Sequence, residues 1–110
     1  MKVEAVVTDL MLYSRIESAA RMAGVEVARV DEPGDVSLDA DLVLVDWSAR
    51  QPGWADALLA LTGRVILFGP HTDLEAHAAA RAAQLAPMVA RSRLLSLIGE
   101  LFSTDAEVRS

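Results

Sequence analysis

The sequence lacks several features that define whole classes of protein. It has no cysteine, which excludes disulfide bonds, thiolate metal sites and cysteine nucleophiles together. No apolar run approaches the roughly 20 residues that a membrane-spanning helix needs. The first residues lead directly into a short apolar segment that carries a charge, unlike a signal peptide. We therefore expect a cytoplasmic protein that does not enter a membrane.

Positive charge is also scarce. Of the 10 basic residues only Lys2 is a lysine, and with 16 acidic residues the net charge is −6. Proteins bind phosphate backbones through an excess of cations, so this composition argues against nucleic-acid binding. The single lysine lies near the amino terminus. No later position of the chain can therefore supply a lysine to a functional site.

Apolar runs alternate regularly with helical patterns along the chain. Hydrophobic residues make up 53% of the sequence, enough for one packed domain. The runs 42–45 and 65–68 have no polar face, which is typical of parallel strands covered on both sides. Further strands are predicted at 3–7, 25–30 and 88–90, with helices between the strands. This order predicts one α/β domain over residues 1–102, built on a parallel sheet between helical layers, and a polar tail over 103–110.

Several residues predict where the helices begin and end. Gly24 lies where the first helix should close. Thr72 begins a sequence with the form of a capping box, in which its hydroxyl would accept a backbone amide of the next helix. Ser92 is placed to cap a last amphipathic helix that ends near Phe102.

The residues that follow the predicted strands are the candidates for a functional site. Ligands of open parallel sheets bind at the carboxyl ends of the strands. The residues at those ends are Thr8, Asp9, Asp46, Gly69 and Arg91. Asp9 also has a structural interpretation, since an aspartate just before a helix is a common cap.

This ordered pattern resembles the receiver domain of two-component response regulators, over about residues 3–102. Its most specific part is the strand that ends in Asp46-Trp47, combined with Asp9 and the order of the elements. The resemblance implies a flavodoxin-like three-layer sandwich with strand order 2-1-3-4-5. In that family, an acidic pair after strand 1 holds Mg²⁺ beside the phosphoacceptor aspartate that ends strand 3. A hydroxyl residue after strand 4 and a lysine after strand 5 contact the phosphoryl group.

Matched to that family position by position, the site is incomplete. Asp46 corresponds to the phosphoacceptor and Asp9 to the second acid, but Thr8 stands in place of the first acid. A magnesium site on Asp9 and Asp46 would be weak, because Mg²⁺ prefers several hard oxygen ligands. At the two switch positions, Gly69 replaces the hydroxyl residue and Arg91 replaces the lysine. The resemblance thus implies no cofactor beyond a weakly held Mg²⁺.

Two further departures affect how such a domain would work. The guanidinium of Arg91 either pairs with Asp46 or Asp9, holding one conformation without phosphate, or points to solvent. The stretch between strands 2 and 3 is several residues shorter than in the family, so the second helix should be a single turn or missing.

Thr8, Trp47 and His71 are predicted at the edge of the pocket. Trp47 could gate the site. Trp54 either anchors a partner or packs in helical register with Leu58. His71 could join the two aspartates as a metal ligand, but a solvated loop histidine is the expected case.

Three functions fit these residues. The first is a stand-alone pseudo-receiver that signals through protein contacts without phosphorylation, binding a partner or a second copy through the region Leu74 to Phe102. The second is a single-domain response regulator that is phosphorylated on Asp46. The third is a sensor of a small ligand or nucleotide in the crevice at the strand ends.

An enzyme of another type is not expected. The loop 8–12 contains no glycine, so it is neither a dinucleotide-binding fingerprint nor a P-loop. Ser48 and His71 lack the elbow and the third partner that a nucleophile–base motif requires.

Overall fold

A parallel sheet organises the chain. The computed structural model describes the backbone of residues 1–109 and the side chains of residues 1–100. Within that part of the chain, the sheet has the order β2-β1-β3-β4-β5 and consists of β1 (Val3–Val6), β2 (Val27–Val30), β3 (Leu42–Asp46), β4 (Arg64–Gly69) and β5 (Val89–Ala90). The described helices are α1 (Leu10–Met22), α2 (Trp54–Leu59), α3 (Leu74–Ala82) and α4 (Arg91–Arg109). The predicted flavodoxin-like fold and strand order are confirmed.

The strand β3 lies at the centre of the sheet and carries the key aspartate. It pairs in parallel with β1 on one side and β4 on the other. All of its residues are buried, which explains why the run 42–45 has no polar face. Asp46 is the last residue of β3, opposite Phe68 of β4, so its carboxylate lies at the carboxyl edge of the sheet.

Helices cover both faces of the sheet. One apolar layer comes from α1 and α4, through Leu12, Ile16, Ala20, Leu94 and Ile98. The opposite layer comes from the turn after β3 and from α2 and α3, through Trp47, Trp54, Leu58, Ala76 and Ala80. Complete burial of a leucine-sized side chain stabilises a fold by about 1.5–3 kcal/mol. These two layers therefore hold the strand ends in place.

The connection between β2 and β3 is a loop with a single 3₁₀ turn, Pro33–Asp35. This confirms the prediction that the second helix is a single turn or missing. Val36 packs into the core from this loop, and the carboxylate of Glu4, only 4% exposed, accepts a hydrogen bond of 3.1 Å from the backbone amide of Ser37. The buried carboxylate of β1 thus holds the loop against the sheet.

Helix ends differ in part from the predicted caps. Asp9 caps α1, since its Oδ1 accepts the amides of Met11 at 3.0 Å and Leu12 at 3.1 Å. Thr72 is not the cap of α3, and that prediction was wrong. The cap is Asp73, whose carboxylate accepts the Ala76 amide three residues later at 3.1 Å, the position that a capping side chain reaches best.

The last helix begins and ends differently from the sequence prediction. It starts at Arg91, so Ser92 lies inside its first turn and does not cap it. The segment 103–110, predicted as a polar tail, has helical backbone through Arg109. The side chains of Leu101 and Phe102, which were expected to extend the apolar face, lie outside the described residues. No helix in the described part of the chain is long and apolar enough to cross a membrane.

Candidate functional site

The carboxyl edge of the sheet brings the predicted site residues together. The parallel pairing of β1, β3, β4 and β5 places their carboxyl ends side by side. Asp9 therefore lies close enough to Asp46 for its negative charge to contribute to raising the pKa of Asp46. Arg91 follows β5 directly and reaches back to the same point. Gly69 ends β4 between them.

Asp46 is a buried carboxylate with one neighbouring cation. The residue is only 4% exposed, and its Oδ2 lies 3.5 Å from Nη2 of Arg91. Burial is the main cause that raises the pKa of Asp46, because a low-dielectric environment penalises the charged form. The Arg91 guanidinium and the backbone amide of Ser48 oppose that shift without cancelling it. The carboxylate is therefore harder to ionise than an exposed aspartate.

The Arg91 guanidinium pairs with Asp46, and it makes no ion pair with Asp9 in the described structure. The 3.5 Å separation is longer than the roughly 2.7–2.9 Å of a strong charge-assisted hydrogen bond. The Arg91 side chain is 40% exposed, so part of its guanidinium keeps contact with water. Its Nε atom is buried and has no hydrogen-bond partner among the described residues.

The acidic side chains fit a magnesium site poorly. The Oδ1 atom of Asp9 already accepts two backbone amides of α1, and the Oδ2 atom of Asp46 faces a guanidinium. Thr8 is exposed at the same edge and offers only a neutral oxygen. Within residues 1–100, no three acidic or imidazole side chains are grouped as metal ligands. His71 is exposed, and it does not complete such a group with Asp9 and Asp46.

Gly69 marks the tightest contact of the site. A β-carbon placed on this buried glycine would lie 2.5 Å from the Ser48 hydroxyl oxygen and 2.9 Å from the Met88 sulfur. Side chains do not pack at such distances, so any residue larger than glycine would require Ser48 or Met88 to move. The turn that follows β3 therefore fills the space beside Gly69, the switch position predicted on β4.

Ser48 is the site residue that sequence reasoning assigned no role in the pocket. It lies in the 3₁₀ turn Trp47–Ala49, two residues after Asp46. Its hydroxyl is buried and makes no hydrogen bond to the part of the protein that the structure describes, and the same holds for Oδ1 of Asp46. The sequence feature that could have identified Ser48 is its position, two residues after the aspartate that ends β3.

The two tryptophans pack into the core. Trp47 is 2% exposed and donates a hydrogen bond of 2.9 Å from its Nε1 to the carbonyl of Ala76 in α3. This arrangement does not favour the predicted gate, although Trp47 still lines a cleft beside the pocket. Trp54 is 8% exposed and joins Leu58 in the same apolar layer, which favours packing over an exposed partner anchor.

A cleft opens beside Arg91 on the outer side of the site. It has a volume of about 470 Å³ and lies between the start of α1 and the start of α4. Its lining includes Asp9, Arg15 and Arg91 together with the apolar side chains of Leu12 and Leu95. The cleft thus borders Asp9 and Arg91, two of the strand-end residues around which the sensor hypothesis places its ligand.

Comparison with known proteins gives the fold and nothing finer. No protein-family model matches the sequence, and no curated protein is significantly similar to it. Among solved structures, a CheY-like response regulator receiver domain protein from Methanospirillum hungatei aligns over 96% of each chain with a TM-score of 0.66 and 16% identity. A response regulator receiver domain protein from Clostridium thermocellum covers 99% of this chain and 98% of its own, with a TM-score of 0.63 and 14% identity.

A third structure gives the same result. The REC domain of AraT, a response regulator from Geobacillus stearothermophilus, covers 99% of this chain and 98% of its own, with a TM-score of 0.62 and 15% identity. These similarities extend over nearly the whole of each chain, so they compare complete domains. The chain has the fold of a receiver domain.

Proposed function

We propose that this protein is a pseudo-receiver, a signalling module with the receiver fold that acts through protein contacts and does not depend on phosphorylation. The observation that carries the proposal is the state of Asp46. Its buried carboxylate faces Arg91, and Asp9, the aspartate that follows β1, is engaged in capping α1. The lack of cysteine fits action in the reducing cytoplasm.

Phosphoryl transfer depends on groups that this pocket lacks among its described residues. Metal ions neutralise the charge that develops on the phosphoryl oxygens, and positioning groups hold the reactants in line. Asp9 and Asp46 do not form a cluster with a third acidic ligand. Gly69 has no side chain that could contact a phosphoryl group, and Arg91 is a planar donor where the resemblance predicts a compact ammonium. We therefore propose that the module needs neither Mg²⁺ nor phosphate.

Amide NMR with magnesium and beryllofluoride, a mimic of a phosphoryl group, tests this proposal. We expect no saturable shifts at Asp9, Asp46 or Arg91, because the pocket does not hold the metal and the mimic together. Asp46→Asn is the matched control, since it removes the acceptor carboxylate with little change in shape. Saturable shifts that this substitution abolishes would overturn the proposal.

One observation favours the alternative of a working response regulator. Oδ1 of Asp46 is buried and has no hydrogen-bond partner in the described structure, so no described donor occupies this carboxylate oxygen. Intact-mass spectrometry after incubation with acetyl phosphate and Mg²⁺ would detect the product. A phosphoryl adduct present in the wild-type protein and absent from Asp46→Asn would support this alternative.

The proposed partner surface is the region Leu74 to Phe102, which comprises α3, β5 and the start of α4. Leu74 is 75% exposed at the beginning of α3, and Arg81 and Arg93 are exposed on the same region. A surface that exposes both a leucine and arginines suits an acidic protein partner, including a second copy of this acidic chain. Sedimentation at increasing protein concentration tests the homodimer, and a monomer at every concentration would exclude it.

A further inference from the structure

The hydroxyl of Ser48 occupies the volume that a side chain at position 69 would take. The 2.5 Å between the Ser48 oxygen and a β-carbon on Gly69 leaves no space for both groups. The resemblance predicts a hydroxyl residue at the end of β4, and a hydroxyl is indeed present there. It is contributed by the turn after β3.

We propose that Ser48 supplies the hydroxyl group of this pocket in place of residue 69, and that it links the state of Asp46 to helix α3. The inference rests on the proposed function only in taking the Asp46 pocket as the site whose state matters. It holds whether or not Asp46 accepts a phosphoryl group. Ser48 is in this view a positioning residue for α3.

The first link joins Ser48 to Asp46. The backbone amide of Ser48 lies close enough to the Asp46 carboxylate to help lower the pKa of Asp46. The Ser48 hydroxyl and Oδ1 of Asp46 are both buried, and neither has a partner among residues whose side chains are described. Buried polar groups are nearly always bonded, and a hydroxyl rotates to suit its acceptor. Ser48 is therefore free to change its bonding when the charge at position 46 changes.

The second link joins the same turn to α3. The Ser48 hydroxyl makes no hydrogen bond of good geometry to Asp73, but it lies close enough to help lower the pKa of that carboxylate. Asp73 is the cap of α3, and its larger stabilising contact is the amide of Ala76. Trp47 adds a buried bond of 2.9 Å to the carbonyl of Ala76. The turn 46–48 thus touches the first turn of α3 at two points.

These contacts give a route from the carboxylate to α3 that bypasses β4. A change at Asp46 alters the acceptor available to Ser48, which in turn alters the environment of the Asp73 cap. Gly69 has no side chain that could respond to a change at Asp46. The end of β4 therefore provides only the space that the Ser48 hydroxyl fills. The responsive group is two residues from the carboxylate, within the same turn.

Amide NMR on two backgrounds tests the link without phosphate. Asp46→Asn, which removes the charge, should shift the amide signals of residues 73–76 and the indole N–H signal of Trp47. In a Ser48→Ala background, the same substitution should shift the signals of residues 73–76 by less than half as much. Ser48→Thr keeps the hydroxyl and should retain the full response.

Ser92→Ala is the matched control, because it removes an exposed hydroxyl at the same edge of the sheet. It should leave the response of α3 to Asp46→Asn unchanged. An equal response with and without the Ser48 hydroxyl would overturn the inference, as would the absence of any response in the wild-type background. Neither result depends on beryllofluoride, so failure of the pseudo-receiver proposal is measured separately.

A swap of the two residues tests the shared volume. Gly69→Ser alone should lower the urea midpoint of unfolding, because its β-carbon meets the Ser48 oxygen. Adding Ser48→Gly should recover most of that loss, since the new β-carbon then meets only the flexible end of the Met88 side chain. If Gly69→Ser is tolerated with Ser48 in place, or if Ser48→Gly restores nothing, the two positions do not share one volume and the inference fails.

Discussion

Asp46 combines two opposing effects on a single side chain. Its burial removes the water that stabilises an ionised carboxylate, and that loss raises its pKa. The Arg91 guanidinium offsets part of the cost at 3.5 Å, but the other carboxylate oxygen has no partner in the described protein. A buried charge that is incompletely paired weakens a fold. The residue is therefore better explained by a role in the pocket than by a contribution to stability.

This balance makes a prediction for Asp46→Asn. Because the folded state raises the pKa of Asp46, it holds the proton more tightly than the unfolded chain does. The contribution of this group to stability is thus greatest at low pH and is lost as the pH rises from about 3.8 through the raised pKa. As the pH rises through this window, we expect the wild type to lose stability relative to Asp46→Asn. At neutral pH, the free energy of unfolding of Asp46→Asn should be higher than that of the wild type.

Urea unfolding of both proteins at several pH values measures the difference. The depressed pKa of Asp73 acts with the opposite sign, since its contribution is lost as the pH falls. Asp73 is present in both proteins, and repeating the comparison in the Ser48→Ala background removes the link through which Asp46→Asn would alter it. A variant that is less stable than the wild type at neutral pH would mean that the pair with Arg91 outweighs the cost of burial.

Asp9 allows the cap and the charge to be separated. Asp9→Ala removes the acceptor of two α1 amides and should lower the free energy of unfolding by about 1 kcal/mol. Asp9→Asn keeps an acceptor oxygen and should cost much less. Because the Asp9 charge contributes to raising the pKa of Asp46, the Asn variant should also lower that pKa, which NMR titration can follow. Equal losses for Ala and Asn would show that the charge, and not the cap, stabilises α1.

At the scale of elements, the loop between β2 and β3 replaces a helix. A single 3₁₀ turn places Val36 on the sheet, and the buried Glu4 carboxylate binds the Ser37 amide. A carboxylate inside a strand whose neighbours are all buried is costly unless it is bonded. The bond from the Ser37 amide meets this requirement, and it ties the loop to β1.

Substitution of Glu4 should loosen this loop. Glu4→Ala leaves the Ser37 amide without its acceptor, and we expect a loss of about 1–3 kcal/mol in the free energy of unfolding. Glu4→Gln retains an acceptor oxygen and should cost less. Hydrogen exchange at Ser37 should accelerate in the Ala variant more than exchange at Val43 in the central strand. Equal acceleration at both amides would indicate global destabilisation and not release of the loop.

The sequence predicts the elements better than it predicts the contacts between them. The buried runs end at Asp46 and Gly69, so the strand ends and the edge of the site follow from hydropathy. Thr72 and Asp73 both suit a cap, and local pattern alone cannot choose between them. The closeness of Ser48 to Gly69 depends on how a turn packs against a neighbouring strand. Such a contact has no periodic signal in the chain.

At the scale of the whole molecule, α4 is the element that could serve either the core or a partner. Leu94 and Ile98 of this helix are fully buried, and they belong to the apolar layer that α4 forms with α1. Leu97 of the same helix is only half-buried. The apolar positions that suggested a homodimer from the sequence are thus partly consumed within the chain itself. A dimer through this helix would have to use the remaining positions.

Two substitutions in α4 distinguish packing within the chain from packing between copies. Ile98→Ala should lower the free energy of unfolding by about 2–5 kcal/mol, as expected for a fully buried isoleucine. Leu97→Ala should cost less, because part of its side chain already contacts solvent. If Ile98 packs only within its own chain, its loss is the same at low and high protein concentration. A loss from Ile98→Ala that grows with concentration, together with a heavier species in sedimentation, would instead place this residue between two copies.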